Sequence, residues 1–172
     1  MRIHMVPHDP KWQRDFQQEA QQITDALGAN AITVHHIGST AIPTIYAKPV
    51  IDLLLVVQDL AALDTRQSLL EAMGYEELGE HGIPERRFFR RDNALGDRTH
   101  QIHAFKAGSP QIDRHFAFRE YMIAHPDTAQ EYSSLKRDLA AKHPNDIEAY
   151  MDGKDAFIQG IDRQTAEKAL SQ

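Results

Sequence analysis

The stretch His36-Ile37-Gly38-Ser39-Thr40-Ala41-Ile42-Pro43, followed by Ala47-Lys48-Pro49-Val50-Ile51-Asp52-Leu53-Leu54, decides how the chain folds. Its second half opens an apolar run over residues 50–57 that contains a single acid, Asp52. Apolar residues at all the remaining positions of the run predict a central strand covered on two sides. Alternation places Asp52, Leu54 and Val56 on one face and Ile51, Leu53, Leu55 and Val57 on the other. A carboxylate in such a strand is costly unless it is paired, hydrogen-bonded or bound to a cation. Asp52 therefore reads either as the buried partner of Lys48, an arginine or a backbone amide, or as a metal-linked functional group. On residues alone the two readings weigh evenly. Upstream, Gly38 permits a close backbone approach and Ser39 adds a hydroxyl beside exposed amides. Gly38-Ser39-Thr40 is thus a candidate phosphate cradle.

Outward from this centre the elements follow in order. Asp9 as cap, Pro10 at the first turn and Gly28 at the end predict a helix, with Trp12, Phe16, Ala20, Ile23 and Leu27 as its apolar stripe. Residues 31–36 read as a strand, and residues 60–73 as a helix closed by Gly74. Residues 86–91 and 99–105 read as a strand pair joined through the turn-rich loop 92–97. From Ile112 the pattern turns helical, with one helix over 115–124, a second opened by Pro126 and a third opened by Pro144. The expectation is an α/β (α+β) domain spanning residues 1–172, with a mixed sheet in 1–110 and a helical tail, 111–172, packed on it.

Composition excludes several classes. With 172 residues, 41% hydrophobic and 26% charged, the chain has the balance of an ordinary globular domain. No cysteine is present, so there is no disulfide, thiolate zinc site or cysteine nucleophile. A net charge of -6 disfavours binding to duplex nucleic acid. No apolar run approaches the ~20 residues of a membrane helix. Met1-Arg2-Ile3-His4 lacks the apolar region of a signal peptide, so a cytoplasmic protein is expected. Arg86, Arg87, Arg90, Arg91 and Arg98 form a basic cluster that reads either as a solvated hairpin face or as a phosphate contact. No dinucleotide fingerprint, Walker motif or nucleophile elbow occurs, and nothing assigns an oligomeric state.

A Gly-Ser turn, twelve intervening residues and an Asp on an apolar strand resemble the signature of the nucleotidyltransferase superfamily. The two opening segments together resemble the hallmark of the GrpB family, also called UPF0157. The likeness continues through Pro10-x-Trp12 with Phe16, Gly74-Tyr75, Arg87-Phe88-Phe89, His100-Gln101-Ile102-His103 and Phe118-Arg119-Glu120-Tyr121. It extends to His125-Pro126, Tyr132-x-x-Leu135-Lys136 and Tyr150-x-x-x-Lys154 with Phe157-Ile158.

This resemblance implies a nucleotidyltransferase-like fold that binds a nucleotide-type phosphorylated ligand with Mg²⁺ or Mn²⁺. It implies Asp52 and Ser39 as catalytic residues, and Asp52 and His103 on the metal. Gly38, Ser39, Thr40, Lys48, Arg87, His103, Lys136 and Lys154 would surround the ligand. A catalytic member would transfer a nucleoside monophosphate to a hydroxyl acceptor. Because some relatives are fused to dephospho-CoA kinase, a coenzyme A precursor is a second expected ligand class. One departure favours an alternative. In the wider superfamily the first strand supplies two acids, as Asp-x-Asp or Asp-x-Glu, and here the second position is Leu54. Leucine cannot ligate a metal, and Glu80 or Glu85 would have to substitute. The alternative is a degenerate, non-catalytic module that senses a ligand or binds a partner.

Overall fold

The computed structural model describes residues 3–170. Five strands, β1 (Ala31–Ile37), β2 (Ile51–Val57), β3 (Glu76–Glu77), β4 (Arg86–Asp92) and β5 (Arg98–Lys106), form one sheet in the order β1-β2-β5-β4-β3. β2 is antiparallel to β1 and parallel to β5, while β5–β4 and β4–β3 are antiparallel, so the sheet is mixed. The apolar run forms β2, next to the centre of the sheet, where Leu53, Leu54, Leu55 and Val57 are fully buried. Helices cover both faces.

Helix α1 (Lys11–Leu27) starts one residue after Pro10, and the Asp9 carboxylate accepts from the Lys11 amide at 2.9 Å. Its stripe carries Trp12, Ile23 and Leu27 onto the face formed by Leu53, Leu55, Phe89 and Ile102. The stripe also holds an acid that hydrophobic periodicity could not reveal. Glu19 is buried, accepting from Tyr75 Oη at 2.6 Å and from both terminal nitrogens of Arg91 at 2.8 and 3.1 Å.

Three helices depart from expectation, and the one expected over 115–124 already starts at Pro110. Residues 60–73 form α2 (Leu60–Asp64) and α3 (Gln67–Ala72) rather than one helix. The Thr65 hydroxyl bonds back to the Ala62 carbonyl at 2.7 Å, and Arg66 leaves the helical region at φ -116, ψ 8. The last helix begins three residues beyond Pro144, because Asp146 Oδ1 accepts from the Ala149 amide at 3.0 Å and fixes the start at Ile147.

The other face of the sheet packs Ile37, Leu54, Val56 and Phe105 against Ile112 and Phe116 of α4 (Pro110–Ala124). α5 (Pro126–Lys142) and α6 (Ile147–Leu170) complete the tail. Ile42 and Ile45, from the segment between β1 and β2, are buried among Met122, Ala129, Tyr132 and Ile161 of the tail. Sheet and tail therefore share a core at the Gly-Ser turn. Ser109 caps α4 through the Gln111 amide at 3.3 Å. We expect Ser109→Ala to cost about 0.5–1 kcal/mol, lowering the melting temperature by roughly 1–4 °C, measurable by calorimetry. An unchanged melting temperature would show that packing alone holds the start of α4.

Candidate functional site

Asp52 lies near the start of β2, opposite Ile37 on one side and Gln101 on the other. Its side chain is 22% exposed and faces the helical tail. Directly behind it the chain turns at Gly38, with φ 76 and ψ -174. The close approach is unusual: an ideal Cβ at Gly38 would lie 2.6 Å from Asp52 Oδ2. Glycine is required here for its conformation and for its lack of a side chain.

Asp52 Oδ1 accepts from His103 Nε2 at 3.0 Å, and Arg86 contacts His103 Nδ1 at 3.3 Å. A guanidinium only donates, so Nδ1 accepts and Nε2 carries the proton that binds Asp52. Both ring nitrogens of His103 are thus engaged, and in this arrangement its lone pair faces Arg86. Arg86 is itself buried and fixed by the carbonyls of Glu80 and His81 at 3.1 and 2.7 Å. His115, from α4, has its ring centroid 5.8 Å from that of His103. Burial, aided by His103 and Arg114, pushes its pKa down to about 3.

The opposite flank is made of lysines. Lys136 of α5 is 1% exposed and donates to Ser39 Oγ at 2.7 Å and to the Tyr46 carbonyl at 2.8 Å. Lys48 and Lys154 are half-buried, each with Nζ 5.1 Å from the Tyr150 ring centroid. Tyr150 and Tyr132 are buried, and Lys136 Nζ lies 4.6 Å from the Tyr132 ring centroid. None of the three ammonium groups forms an ion pair with a carboxylate among the described residues. Burial first, then Lys154 and Lys48, brings Lys136 down to about 7. Burial and Lys48 bring Lys154 to about 8, with Asp52 opposing. Lys48 is lowered by burial, also against the pull of Asp52. The site is a cluster of lysines flanking one carboxylate.

These shifts set a pH dependence. The unfolded chain binds the lysine protons below ~10.4, whereas the folded chain binds them only near 7–8, so stability rises with pH across that window. Stability is lost as pH falls through the folded values. For the buried Lys136 alone we expect roughly 1–2 kcal/mol between ~pH 7 and ~pH 9, read as a melting temperature that increases by several degrees. A melting temperature that is flat or falls over that range would refute the lysine environment described here.

The remaining expected residues divide. Thr40 is buried, donating to the Val50 carbonyl at 3.1 Å and pairing with His36 Nε2 at 2.9 Å, so it holds the turn. Arg87 is not brought to the site. Strand alternation turns it to the other face, where it binds Asp64 with two nitrogens at 2.8 and 3.1 Å. Arg90, Arg91 and Arg98 are likewise spent on Glu76, Glu19 and Asp92. Arg86 and Arg90 share the Asp52 side of β4, and it is Arg86 that reaches His103; the register of β4 against β5 was the signal that could have found it. Glu80 caps the Glu85 amide in the loop before β4. Leu54 is fully buried among Ile37, Val56 and Phe105, where a carboxylate would cost several kcal/mol. No group of three or more His, Asp or Glu side chains suited to a metal converges among the described residues. The donor set fits one Mg²⁺ shared between Asp52 and phosphate oxygens, since Mg²⁺ is commonly bound through one carboxylate and a substrate phosphate. It does not fit a pair of protein-held ions.

Comparison with known proteins bears on this arrangement. A family model described as GrpB protein matches residues 2–164. UPF0157 protein YqkA of Bacillus subtilis is 40% identical over 158 residues, covering 92% of this chain and 46% of YqkA. A Mycolicibacterium paratuberculosis protein named dephospho-CoA kinase is 30% identical over 193 residues, covering 98% of this chain and 47% of that one. The chain thus spans about half the length of each of these relatives. The crystal structure of conserved protein GrpB from Enterococcus faecalis matches with a TM-score of 0.91 at 38% identity, over 97% of this chain and 99% of that one. The Cid1 poly(U) polymerase with MgGTP bound matches at a TM-score of 0.51 and 11% identity, over 76% of this chain and 42% of that one. That likeness is one of fold, and the sheet with its flanking helices is nucleotidyltransferase-like. No described helix is long and apolar enough to cross a membrane.

Proposed function

The chain belongs to the GrpB family, and on that footing we propose that the lysine cluster beside Asp52 binds a nucleotide-type phosphorylated ligand. The observation that carries this reading is the grouping of Lys48 and Lys154 with Lys136, which itself bonds Ser39 at the turn, with no ion pair to a carboxylate among the described residues. Three partly desolvated ammonium groups side by side repel one another, and a polyphosphate removes that repulsion. Asp52 Oδ2, left free by the His103 bond to Oδ1, would hold a divalent cation arriving with the phosphates. Such an ion supplies charge neutralisation at the transferring phosphate. His103 and Arg86 orient the carboxylate. With an acceptor hydroxyl in line, the chemistry supported is transfer of a nucleoside monophosphate, driven by positioning and electrostatics.

Leu54 favours a second reading, a module that binds the same class of ligand without transfer. The relative named dephospho-CoA kinase, of which this chain spans 47%, makes dephospho-CoA a reasonable probe beside the nucleotides. The test is calorimetric titration with the four ribonucleoside triphosphates and dephospho-CoA, with and without Mg²⁺ or Mn²⁺, on the native protein and Asp52→Asn. Metal-dependent binding lost in Asp52→Asn supports the transferase reading. Metal-independent binding retained in Asp52→Asn supports the binding module. No binding under any condition rejects both.

A further inference from the structure

Ser39 Oγ and Lys136 Nζ are 2.7 Å apart, brought together across 97 positions of sequence. The lysine has no carboxylate to hold it as an ammonium ion, and its other hydrogen bond is to a backbone carbonyl, Tyr46 O. Tyr132, one turn before Lys136 on α5, is buried beside the pair, its ring centroid 4.6 Å from Lys136 Nζ. The serine is half-buried, whereas the lysine that bonds it is closed off from water. A hydroxyl over a buried amine is the arrangement by which a serine is activated through a lysine rather than a histidine.

We propose that Ser39 is a nucleophile with Lys136 as its general base, and that the site forms a covalent phosphorus ester on Ser39 Oγ. This rests on the phosphate-binding reading above. In the step, Ser39 Oγ attacks an electrophilic phosphorus of a bound phosphoanhydride and the Oγ–P bond forms. The anhydride P–O bond breaks, its electron pair leaves on the departing phosphate, and the serine proton passes to Lys136 Nζ. No oxidant, reductant or further reactant is needed. The charged and titratable groups around the pair are Lys48, Asp52, Tyr132, Tyr150 and Lys154. The two lysines hold Lys136 towards its neutral, basic form, and its fall to about 7 agrees with that role.

The test needs no knowledge of the natural ligand. Diisopropyl fluorophosphate places the same kind of phosphorus centre before the serine, with fluoride as leaving group, and intact mass with peptide mapping locates the adduct. Labelling is expected at Ser39, rising with pH through ~7 as Lys136 loses its proton, and slowed by inorganic triphosphate. Ser39→Ala should remove the adduct. Lys136→Arg, which keeps the charge but cannot act as a base, should slow labelling by about 100-fold or more. An unlabelled native protein, a label elsewhere, or a rate indifferent to Lys136→Arg overturns the proposal. If Lys136→Arg does not fold, the native pH profile decides: a rate flat through ~pH 7 overturns the assignment of the base. Titration of inorganic triphosphate into Ser39→Ala keeps the two claims apart. Binding there, with no labelling of the native protein, refutes the nucleophile and leaves the phosphate site standing.

Discussion

Gly38→Ala is expected to lower the melting temperature by about 10 °C and to abolish triphosphate binding. Two costs combine. At φ 76 and ψ -174 the backbone occupies a region that side chains avoid, costing about 1–3 kcal/mol. The new methyl would also meet Asp52 Oδ2 at 2.6 Å, with Asp52 Cβ and Cγ both at 3.1 Å. Relief requires the carboxylate to move, which breaks its 3.0 Å bond to His103 and displaces the group facing the ligand. Together about 3–4 kcal/mol is at stake. Gly28→Ala supplies the control. Gly28 has a similar conformation, φ 67 and ψ -143, yet nothing lies within 4 Å of its added Cβ. Its replacement should carry the backbone cost alone and leave binding intact. Equal losses in the two variants would mean that the contact with Asp52 has slack and that the turn is not shaped around the carboxylate.

Lys136→Met should stabilise the protein and weaken triphosphate binding about 100-fold, two effects of opposite sign. Lys136 is buried with no carboxylate partner, so folding bears the cost of desolvating its charge. Methionine is similarly long and apolar. It forfeits the bonds to Ser39 and Tyr46 but removes the larger penalty, for a net gain of about 1–2 kcal/mol near neutral pH. The gain should shrink as pH rises towards ~10.4, the unfolded value, above which the lysine is neutral in both states. Binding loses a desolvated charge-assisted contact, about 2–3 kcal/mol, which is the 100-fold. Thermal unfolding and calorimetry on one preparation read both. A destabilised variant that binds normally would make Lys136 a structural strut.

The two variants also separate the kinds of strain in the site. At Gly38 the strain is steric and is relieved only by leaving out a side chain. At Lys136 it is electrostatic, and an anionic ligand relieves it. Phosphate binding between ~pH 8 and ~pH 10 should therefore take up protons, because the ligand raises the pKa of Lys154, which burial and Lys48 lower to about 8. Residual binding should weaken as pH rises through that window.

Much of this was legible in the chain. β2 declared itself by an apolar run too long and too uniform for an edge strand, and the acid within it had to be compensated. The family resemblance, not alternation, placed His103 with Asp52, and the register of β2 against β5, with Leu54 opposite His103, puts the two on one face. The four-residue spacing of Tyr132 to Lys136 and Tyr150 to Lys154 fixed each pair on one side of a helix, which the ring contacts at 4.6 and 5.1 Å bear out. Local rules failed where a side chain bonds to its own backbone, as at Thr65 and Asp146, since such bonds compete with the helix at a cost too small for periodicity to register. They failed also at Glu19, whose two partners come from β4 and the turn before β3.

By itself the sequence determined the central strand, the tight turn that only glycine can make, the helical tail and the family. Each is set by periodicity or by the steric limits of one residue, and both act over a few positions. Tertiary structure decided which charges meet. It spent Arg87 on Asp64 and placed Arg86 behind His103, because the hairpin register chooses the face. It also brought Lys136 to Ser39 from a helix 97 residues away. Coulomb energy depends on distance through space, and nothing in the spacing along the chain specifies it.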